Sequence, residues 1–306
     1  MSAPQKPARK ISSLARARSA RQTCLVADSP HSGRVYPADF NYSCAKDVLR
    51  QAEDAWIDKL FDFLPGLGIP FLQAKFPRSY IDANRNADKV LRDFNAAAKR
   101  GDNPAYQPVE SGLIRSPVTP RHPVPVYDRP LTLREAFQRA TRYHRPYHRR
   151  LSSLLAAAKQ KHGRVVHLNC HSMPSTIHRG TKRNAYDIIL GTRDGTTADD
   201  ALLHALRDLL QAKGYKVGLN VPGFRGAEIV HRHGNPAAQQ HSIQIEINRA
   251  LYMDEKTLRP HAGMRRLKAD LQAVIADFRD YCDALPPVAP SAPEKQARND
   301  HRPRRF

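Results

Sequence analysis

The chain has 306 residues, of which 41% are hydrophobic, and it carries a formal net charge of +21. A chain of this length can bury one large α/β core or two smaller ones, and the mean hydropathy of −0.61 is typical of a soluble protein. No apolar run reaches the roughly 20 residues that a membrane span needs, and no apolar segment of a secretory signal is present. Membrane-spanning and secreted proteins are therefore not expected. The four scattered cysteines form no CxxC pair, which predicts free thiols in a reducing compartment, and we expect a cytoplasmic protein.

Much of the positive charge lies near the two ends of the chain. Residues 1–22 carry six basic side chains and no acidic one, and residues 291–306 carry five basic and two acidic side chains, so together they supply about nine of the net 21 charges. Their composition predicts disordered tails over residues 1–22 and 286–306, and the first of these also resembles an organellar transit peptide. Because the remaining charge is dispersed and no nucleic-acid-binding motif is present, nucleic-acid binding is not expected.

Between the tails, residues 23–285 predict a single domain in which strands and helices alternate. In chain order the pattern predicts a strand over 24–28, a helix over 44–64, a strand over 69–77, a proline-rich loop over 101–130, a helix from Thr132 that is interrupted at Pro146 and resumes to residue 161, strands over 164–169 and 186–191, a helix over 197–213, strands over 216–221 and 241–248, and a helix over 253–285. Thr132 and Glu135 have the spacing of a capping box. This alternation predicts a mixed, mostly parallel central sheet with helices on both faces.

Three predicted strands deliver polar side chains at or near their carboxyl ends. His31 follows the first strand, His171 follows the strand over 164–169, and Glu246 lies near the end of the strand over 241–248. The helix between the first two offers Glu53, Asp54 and Asp58. Two histidines and a carboxylate such as Asp54 can hold a catalytic zinc ion, with Glu246 as the general base. The alternatives are surface histidines and a glutamate paired with arginine, since no compact HExxH motif links these residues.

A series of short segments resembles, in order, the N-formylglutamate amidohydrolase family. The segments span roughly residues 24–260 and read SPHSGRVYP, AEDAWIDKLF, FPRSYIDANR, PYHRRL, CHSMPS, GYKVGLNVP and HSIQIEINRALYMDE. The resemblance implies a fold like that of the zinc carboxypeptidases (phosphorylase/hydrolase-like), one metal ion, expected to be Zn²⁺, and hydrolysis of an amide in histidine catabolism. It implies that His31 and His171 are metal ligands, and we match Asp54 rather than Glu53 to the acidic ligand.

The family's substrate has two carboxylates flanking an amide, and arginine binds carboxylates through a bidentate fork. Arg78 and the Asn84-Arg85 pair, which resembles the carboxylate clamp of the zinc carboxypeptidases, are therefore expected to bind substrate. Arg249 is expected to hold a carboxylate or polarise the scissile carbonyl. Further residues of the matching segments expected at the pocket are Tyr147, His148 and Asn220. The alternative is that these arginines only form ion pairs with Asp82, Asp88 or Glu246.

The chain departs from the family pattern at several positions. Asn169 stands where the family has an aspartate, two residues before His171, and a carboxylate there would be suited to orient the histidine and raise its basicity. Restoring the carboxylate is therefore predicted to tighten zinc binding. The family's GG stretch reads FRGAEIVHRHGNP here, and the segment after DANR reads NADKVLRD, so the pocket is expected to be remodelled.

Three functions follow from this pattern. The first is hydrolysis of the N-formyl amide of an acidic amino acid such as N-formylglutamate. The second is hydrolysis of another N-acyl amino acid or a peptide-like amide by the same fold. The third is a degenerate family member that binds a small molecule without turnover. The oligomeric state is left open.

Overall fold

The computed structural model describes residues 11–16, 23–177 and 182–286. The strands are, in chain order, β1 (Ser12–Ala15), β2 (Leu25–Ser29), β3 (Phe71–Ala74), β4 (Ala105–Tyr106), β5 (Leu131–Thr132), β6 (Val165–Met173), β7 (Thr176–Ile177), β8 (Lys182–Arg183), β9 (Ile188–Gly191), β10 (Val217–Leu219), β11 (Gln240–Asn248), β12 (Met253–Asp254) and β13 (Arg259–Pro260). The helices are α1 (Lys46–Arg50), α2 (Ile57–Leu60), α3 (Asp88–Lys99), α4 (Leu133–Arg139), α5 (Arg145–His162), α6 (Asp200–Ala212), α7 (Glu228–His233) and α8 (Gly263–Ala284).

Seven strands form the central sheet, in the order β1-β3-β2-β6-β11-β9-β10. The four strands β3, β2, β6 and β11 are parallel to one another. β1 is antiparallel to β3, and β9, which pairs parallel with β10, is antiparallel to β11. The prediction of a mixed, mostly parallel sheet is confirmed. Because four neighbouring strands end at the same edge, side chains at and beyond their carboxyl ends converge there.

Each face of the sheet carries its own apolar core. On one face, α2, α6 and α8 bury leucine, isoleucine and phenylalanine side chains against alternate residues of β2, β6 and β11 such as Ala27, Leu168 and Ile245. On the other face, α3, α4, α5 and α7 pack with Val26 and Leu72. The predicted helices on both faces are confirmed. None of the helices in the described ranges combines the length and apolar character of a membrane span.

Three predicted elements have other bounds in the structure, each because of a tertiary contact. The predicted helix over 44–64 is broken, because Trp56 adopts a left-handed conformation with φ 69° and its indole nitrogen donates to the Leu258 carbonyl at 2.8 Å. β6 continues four residues past its predicted end, because it stays paired with β11 as far as Met173, so His171 lies within the strand. The last helix begins only at Gly263, because residues 249–260 form a short turn and the β12–β13 hairpin.

The sequence analysis did not predict the first strand. Ser12–Ala15 lies in the region assigned to a disordered tail, yet it pairs with Phe71–Ala74 at the edge of the sheet. The Ser13 hydroxyl donates to the side-chain oxygen of Gln73 at 3.0 Å. The rest of the two predicted tails, residues 1–10, 17–22 and 287–306, falls outside the described residues.

Candidate metal centre and active site

A buried group of two histidines and one aspartate lies at the carboxyl edge of the sheet. His31 follows β2, His171 lies near the end of β6, and Asp54 comes from the irregular segment between α1 and α2. The three side chains each offer one ligand atom within 4.8 Å of the others. Asp54 Oδ2 lies 2.9 Å from His171 Nδ1 and 3.3 Å from His31 Nδ1. The three residues are at most 2% exposed.

The second nitrogen of each imidazole contacts its own oxygen acceptor. His31 Nε2 lies 2.7 Å from Asp82 Oδ1, and His171 Nε2 lies 2.8 Å from Asn169 Oδ1. In the structure both Nδ1 atoms donate to Asp54 Oδ2. If a metal ion took the place of those protons, the acceptors at Nε2 would keep a hydrogen there and leave the Nδ1 lone pairs to the ion. Two nitrogen ligands and one carboxylate oxygen suit a divalent ion such as zinc, and the structure therefore fits the expected group.

Asp54 and its neighbour Glu53 have different surroundings. Burial raises the pKa of Asp54, but hydrogen bonds from His171 and His31 and the charge of Arg78 hold it well below its usual value. The Glu53 carboxylate instead accepts from the Tyr36 hydroxyl at 2.7 Å and from Arg50 Nε at 3.3 Å, and burial raises its pKa. Glu53 is thus committed to other partners, and Asp54 is the acid of the buried group.

Asn169 links His171 to a second buried acid that the sequence analysis missed. The Asn169 amide nitrogen donates to Asp28 Oδ1 at 2.6 Å, and Asp28 also accepts from the Tyr147 hydroxyl at 2.7 Å. His167 Nε2 lies 3.0 Å from Asp28 Oδ1. Burial raises the pKa of Asp28, but these hydrogen bonds outweigh burial and hold it below its usual value. The family pattern places a carboxylate at position 169, in contact with His171. Here the carboxylate is that of Asp28, on the far side of Asn169 from His171. The sequence could have indicated this carboxylate through Asp28 itself, which ends the strand predicted over residues 24–28.

Glu246 lies directly across from His171 in the pairing of β11 with β6. Its Oε1 accepts from Gln244 Nε2 at 2.9 Å. Burial, together with the charge of Asp54, raises the pKa of Glu246 to about 7, against the opposing effect of His171, Arg78 and Arg249. A carboxyl group with this pKa can take up and release a proton near neutral pH.

The buried group opens on a cavity of about 240 Å³. Besides His31, Asp54 and His171, the polar residues of its wall include Arg78, Asn84, Arg85, Arg115, Gln244, Glu246 and Arg249. Eight of the predicted site residues therefore meet here: His31, Asp54, Arg78, Asn84, Arg85, His171, Glu246 and Arg249. Arg115 and Gln244 also line the cavity and were not among the predicted residues.

The four arginines of the cavity have different partners. Arg78 Nη2 donates to Asp82 Oδ2 at 2.8 Å, and its Nη1 lies 3.5 Å from Asp54 Oδ1. Arg249 donates to the Ser172 hydroxyl at 3.0 Å, to the Glu53 carbonyl at 2.8 Å and to Asp54 Oδ1 at 3.3 Å. Both guanidinium groups thus contact Asp54. The ion pair of Arg78 with Asp82 agrees with the alternative that the arginine forms only ion pairs.

Comparison with known proteins assigns this arrangement to a family. The family model described as N-formylglutamate amidohydrolase matches residues 23–253, most of the chain. The chain belongs to the N-formylglutamate amidohydrolase family. It is 28% identical over 257 residues to the N-formylglutamate deformylase of Pseudomonas aeruginosa, which covers 83% of this chain and 90% of that protein. The N-formylglutamate deformylase of Pseudomonas putida is 27% identical over 237 residues, covering 76% and 82% of the two chains.

Solved structures agree with this assignment. The N-formylglutamate amidohydrolase of Ralstonia eutropha superimposes with a TM-score of 0.77 and 38% identity, covering 89% of this chain and 97% of that one. An Agrobacterium tumefaciens protein shares the fold at a TM-score of 0.65 and 17% identity. Membership in the N-formylglutamate amidohydrolase family makes this chain a hydrolase that acts on an amide.

Three residues expected at the pocket from the family resemblance lie elsewhere. Tyr147 is fully buried on α5 because its hydroxyl is bonded to Asp28. His148 Nε2 lies 2.9 Å from the Ala83 carbonyl, and the residue lines a separate cavity of about 850 Å³ with His144 and His233. Asn220 bonds to Thr192 beyond β9. None of these three side chains lines the cavity of the buried group.

Proposed function

We propose that this protein hydrolyses the N-formyl amide of N-formylglutamate with a divalent metal ion, zinc in the first instance, held by His31, Asp54 and His171. The observation that carries this proposal is the buried His-Asp-His group beside Glu246, open to a cavity with four arginines. The curated relatives bear the name of this activity. The place in histidine catabolism that the family resemblance implies stays a prediction.

The charge of the cavity favours an anionic substrate. Four arginines line the cavity with one aspartate, Asp54, and one glutamate whose pKa is raised to about 7, and a second aspartate, Asp82, pairs with Arg78 and Arg115. Burial alone would raise the pKa of Asp82, but Arg78 and His31 hold it well below its usual value. The site therefore has an excess of fixed positive charge before any metal ion binds, which suits a substrate with two carboxylates.

The metal ion, when bound, would polarise the formyl carbonyl and make water more acidic. The protein's own groups supply the rest of the reaction. Glu246 takes a proton from the attacking water as the new C–O bond forms. It then gives this proton to the amine nitrogen as the C–N bond breaks, which yields formate and glutamate. Gln244 fixes the Glu246 carboxylate through its hydrogen bond, and Asp82 and Asn169 hold the two imidazoles in place.

The test is formate release from N-formylglutamate by the full-length protein, with metal content measured on the same sample. We expect activity that a chelator abolishes and that zinc restores. His31→Ala and His171→Ala should each lose the metal ion and the activity while the fold is retained, because the donor atoms and not the apolar cores are removed. His204→Ala, on the exposed surface of α6, is the matched control. Full activity and metal content in either variant of the group would refute the assignment.

A further inference from the structure

Arg115 differs from the other arginines of the cavity in lacking a protein acceptor. Arg115 lies in the proline-rich loop, directly after Ile114, and is 7% exposed. Its Nε atom is buried and has no hydrogen-bond partner among the described residues, and its Nη2 atom stands 3.6 Å from Asp82 Oδ2. A buried donor without a hydrogen-bond partner lowers the stability of a fold, so the position of this Nε atom is not explained by the described protein contacts.

Asp82 cannot satisfy Arg115, because other donors already occupy its carboxylate. Oδ1 contacts His31 Nε2 at 2.7 Å and accepts from the Asn84 backbone at 2.8 Å. Oδ2 accepts from Arg78 at 2.8 and 3.3 Å. The Arg115 guanidinium therefore lines the cavity as a buried cation whose ion pair with Asp82, at 3.6 Å, is longer than a hydrogen bond and is shared with Arg78.

Arg85 offers a second cation on the neighbouring loop. Two of its nitrogens are held by carbonyls, Nε by Ser111 and Nη1 by Asn84, each at 2.8 Å. The Asp82 backbone donates to the Leu113 carbonyl at 2.8 Å, so the loops that carry Arg85 and Arg115 are fixed to each other. Two positioned guanidinium groups thus line one cavity with the buried His-Asp-His group.

We propose that Arg115 is a specificity-determining residue that binds one carboxylate of a dicarboxylic substrate, with Arg85 binding the other. This inference rests on the proposed function for the location of the reacting amide and goes beyond it by naming Arg115 as a residue that recognises one carboxylate of the substrate. The substrate carboxylate supplies the hydrogen-bond acceptor that the buried Nε atom of Arg115 lacks among the described residues.

The test compares kcat/KM for three substrates in the native protein, Arg115→Gln and Arg115→Lys. N-formylglutamine lacks the side-chain carboxylate, and N-formyl-4-aminobutanoate lacks the α-carboxylate. We expect Arg115→Gln to lower kcat/KM for N-formylglutamate by about tenfold to a hundredfold, the value of a charge-assisted hydrogen bond. For one of the two analogues the loss should be less than about threefold, since the partner carboxylate is already absent. That analogue identifies the carboxylate.

Arg115→Lys keeps the charge without the fork and should lie between the two. Arg92→Gln, on the exposed face of α3, is the control for loss of one positive charge. Thermal unfolding of each variant verifies the fold, and Arg115→Gln should remain folded because Asp82 keeps its hydrogen bonds from Arg78 and the Asn84 backbone. An equal loss for all three substrates, or no loss, overturns the proposal.

A binding measurement separates this inference from the proposed function. If no formate is released from N-formylglutamate, the proposed function fails, and calorimetric titration with glutarate decides the role of Arg115. Glutarate affinity at least tenfold lower in Arg115→Gln than in the native protein supports carboxylate binding by Arg115. Equal affinities, or no binding to the native protein, overturn it.

Discussion

The contact between Asn169 and Asp28 changes what a carboxylate at position 169 would do. From the sequence alone, Asn169→Asp restores a charge behind His171 and tightens zinc binding. In the structure the Asn169 amide nitrogen lies 2.6 Å from Asp28 Oδ1, so an aspartate at 169 would meet a second buried carboxylate. Two carboxylates in such contact cannot both ionise, and they share one proton.

We therefore expect the exchange variant Asp28→Asn/Asn169→Asp, and not Asn169→Asp alone, to bind zinc more tightly. The exchange moves the single negative charge into contact with His171 Nε2, and such partners of a ligand change metal affinity by about 10–100-fold. Competition with a zinc chelator measures the dissociation constants, with Asp28→Asn as the control. The same constant in the exchange variant and the native protein would contradict the idea.

Glu246→Gln tests the base separately from the metal site. The amide keeps the shape of the side chain but cannot accept the proton, so kcat should fall by about 10²–10⁴-fold. Metal content should remain unchanged, because the proposed ligands are His31, Asp54 and His171, and Glu246 is not among them. Glu110→Gln, outside the cavity, should behave as the native protein. If metal is lost in Glu246→Gln, Glu246 is itself a ligand and the roles must be reassigned.

The sequence brought most of the cavity residues within reach of prediction, and the exceptions have physical causes. His31, His171 and Glu246 could be found because strand ends concentrate polar side chains at one edge. Arg115 could not, since the proline-rich loop that carries it has no periodic pattern that would place it. Tyr147 and His148 were misplaced because α5 packs against the sheet, so their polar atoms find buried partners and not the cavity.

At the scale of elements, the capping box predicted at residues 132–135 is confirmed, whereas the long helix predicted from the apolar spacing over 44–64 is wrong. Thr132 and Glu135 form the predicted capping box at the start of α4, with both reciprocal hydrogen bonds present. The apolar spacing over 44–64 also suits a helix, but Asp54 and Trp56 have tertiary partners that a continuous helix could not reach. The tertiary contacts of Asp54, a residue of the buried group, and of Trp56 therefore outweigh the helix that the local periodicity favours.

Thr132→Ala should lower the free energy of unfolding by about 1 kcal/mol, since it removes the side-chain acceptor for the Glu135 backbone. Urea denaturation measures this, with Ser153→Ala on the exposed side of α5 as the control. The hydrogen bond from Arg129 and those of the cap lower the pKa of Glu135 to about 2. The contribution of Glu135 is therefore present above about pH 4.5, the ordinary value, and is lost as the pH falls toward 2. A Thr132→Ala protein as stable as the control would contradict the role of the cap.

At the scale of the whole molecule, the sheet continues into a region whose composition is that of a tail. β1 covers the edge of β3 through backbone pairing, and Lys75 donates to the Ile11 carbonyl at 2.9 Å. The charge and low aromatic content of residues 1–22 gave no sign of this, because a four-residue edge strand needs only backbone atoms and small side chains.

Removal of residues 1–16 should therefore destabilise the protein more than removal of residues 1–10. The longer deletion loses the backbone pairing of Ser12–Ala15 with β3 and exposes the β3 edge, for a cost of about 1–3 kcal/mol. Urea unfolding and light scattering report the stability and any self-association of the exposed edge. Identical stability of the two truncated proteins would show that β1 contributes nothing in solution.

In the two central strands, β6 and β11, polar residues of the candidate site alternate with residues of the apolar core. Asn169 and His171 in β6, and Gln244 and Glu246 in β11, share one face, while Leu168, Cys170, Ile243 and Ile245 belong to the apolar core of the other. Inserting or deleting a single residue within either strand would exchange the two sets, burying acids among leucines and leaving the cavity lined with aliphatic side chains. Substitutions within these strands, such as asparagine for aspartate at position 169, are therefore compatible with the fold, whereas insertions and deletions are not. New substrates for this scaffold must arise from the loops around the edge, where Arg85 and Arg115 stand.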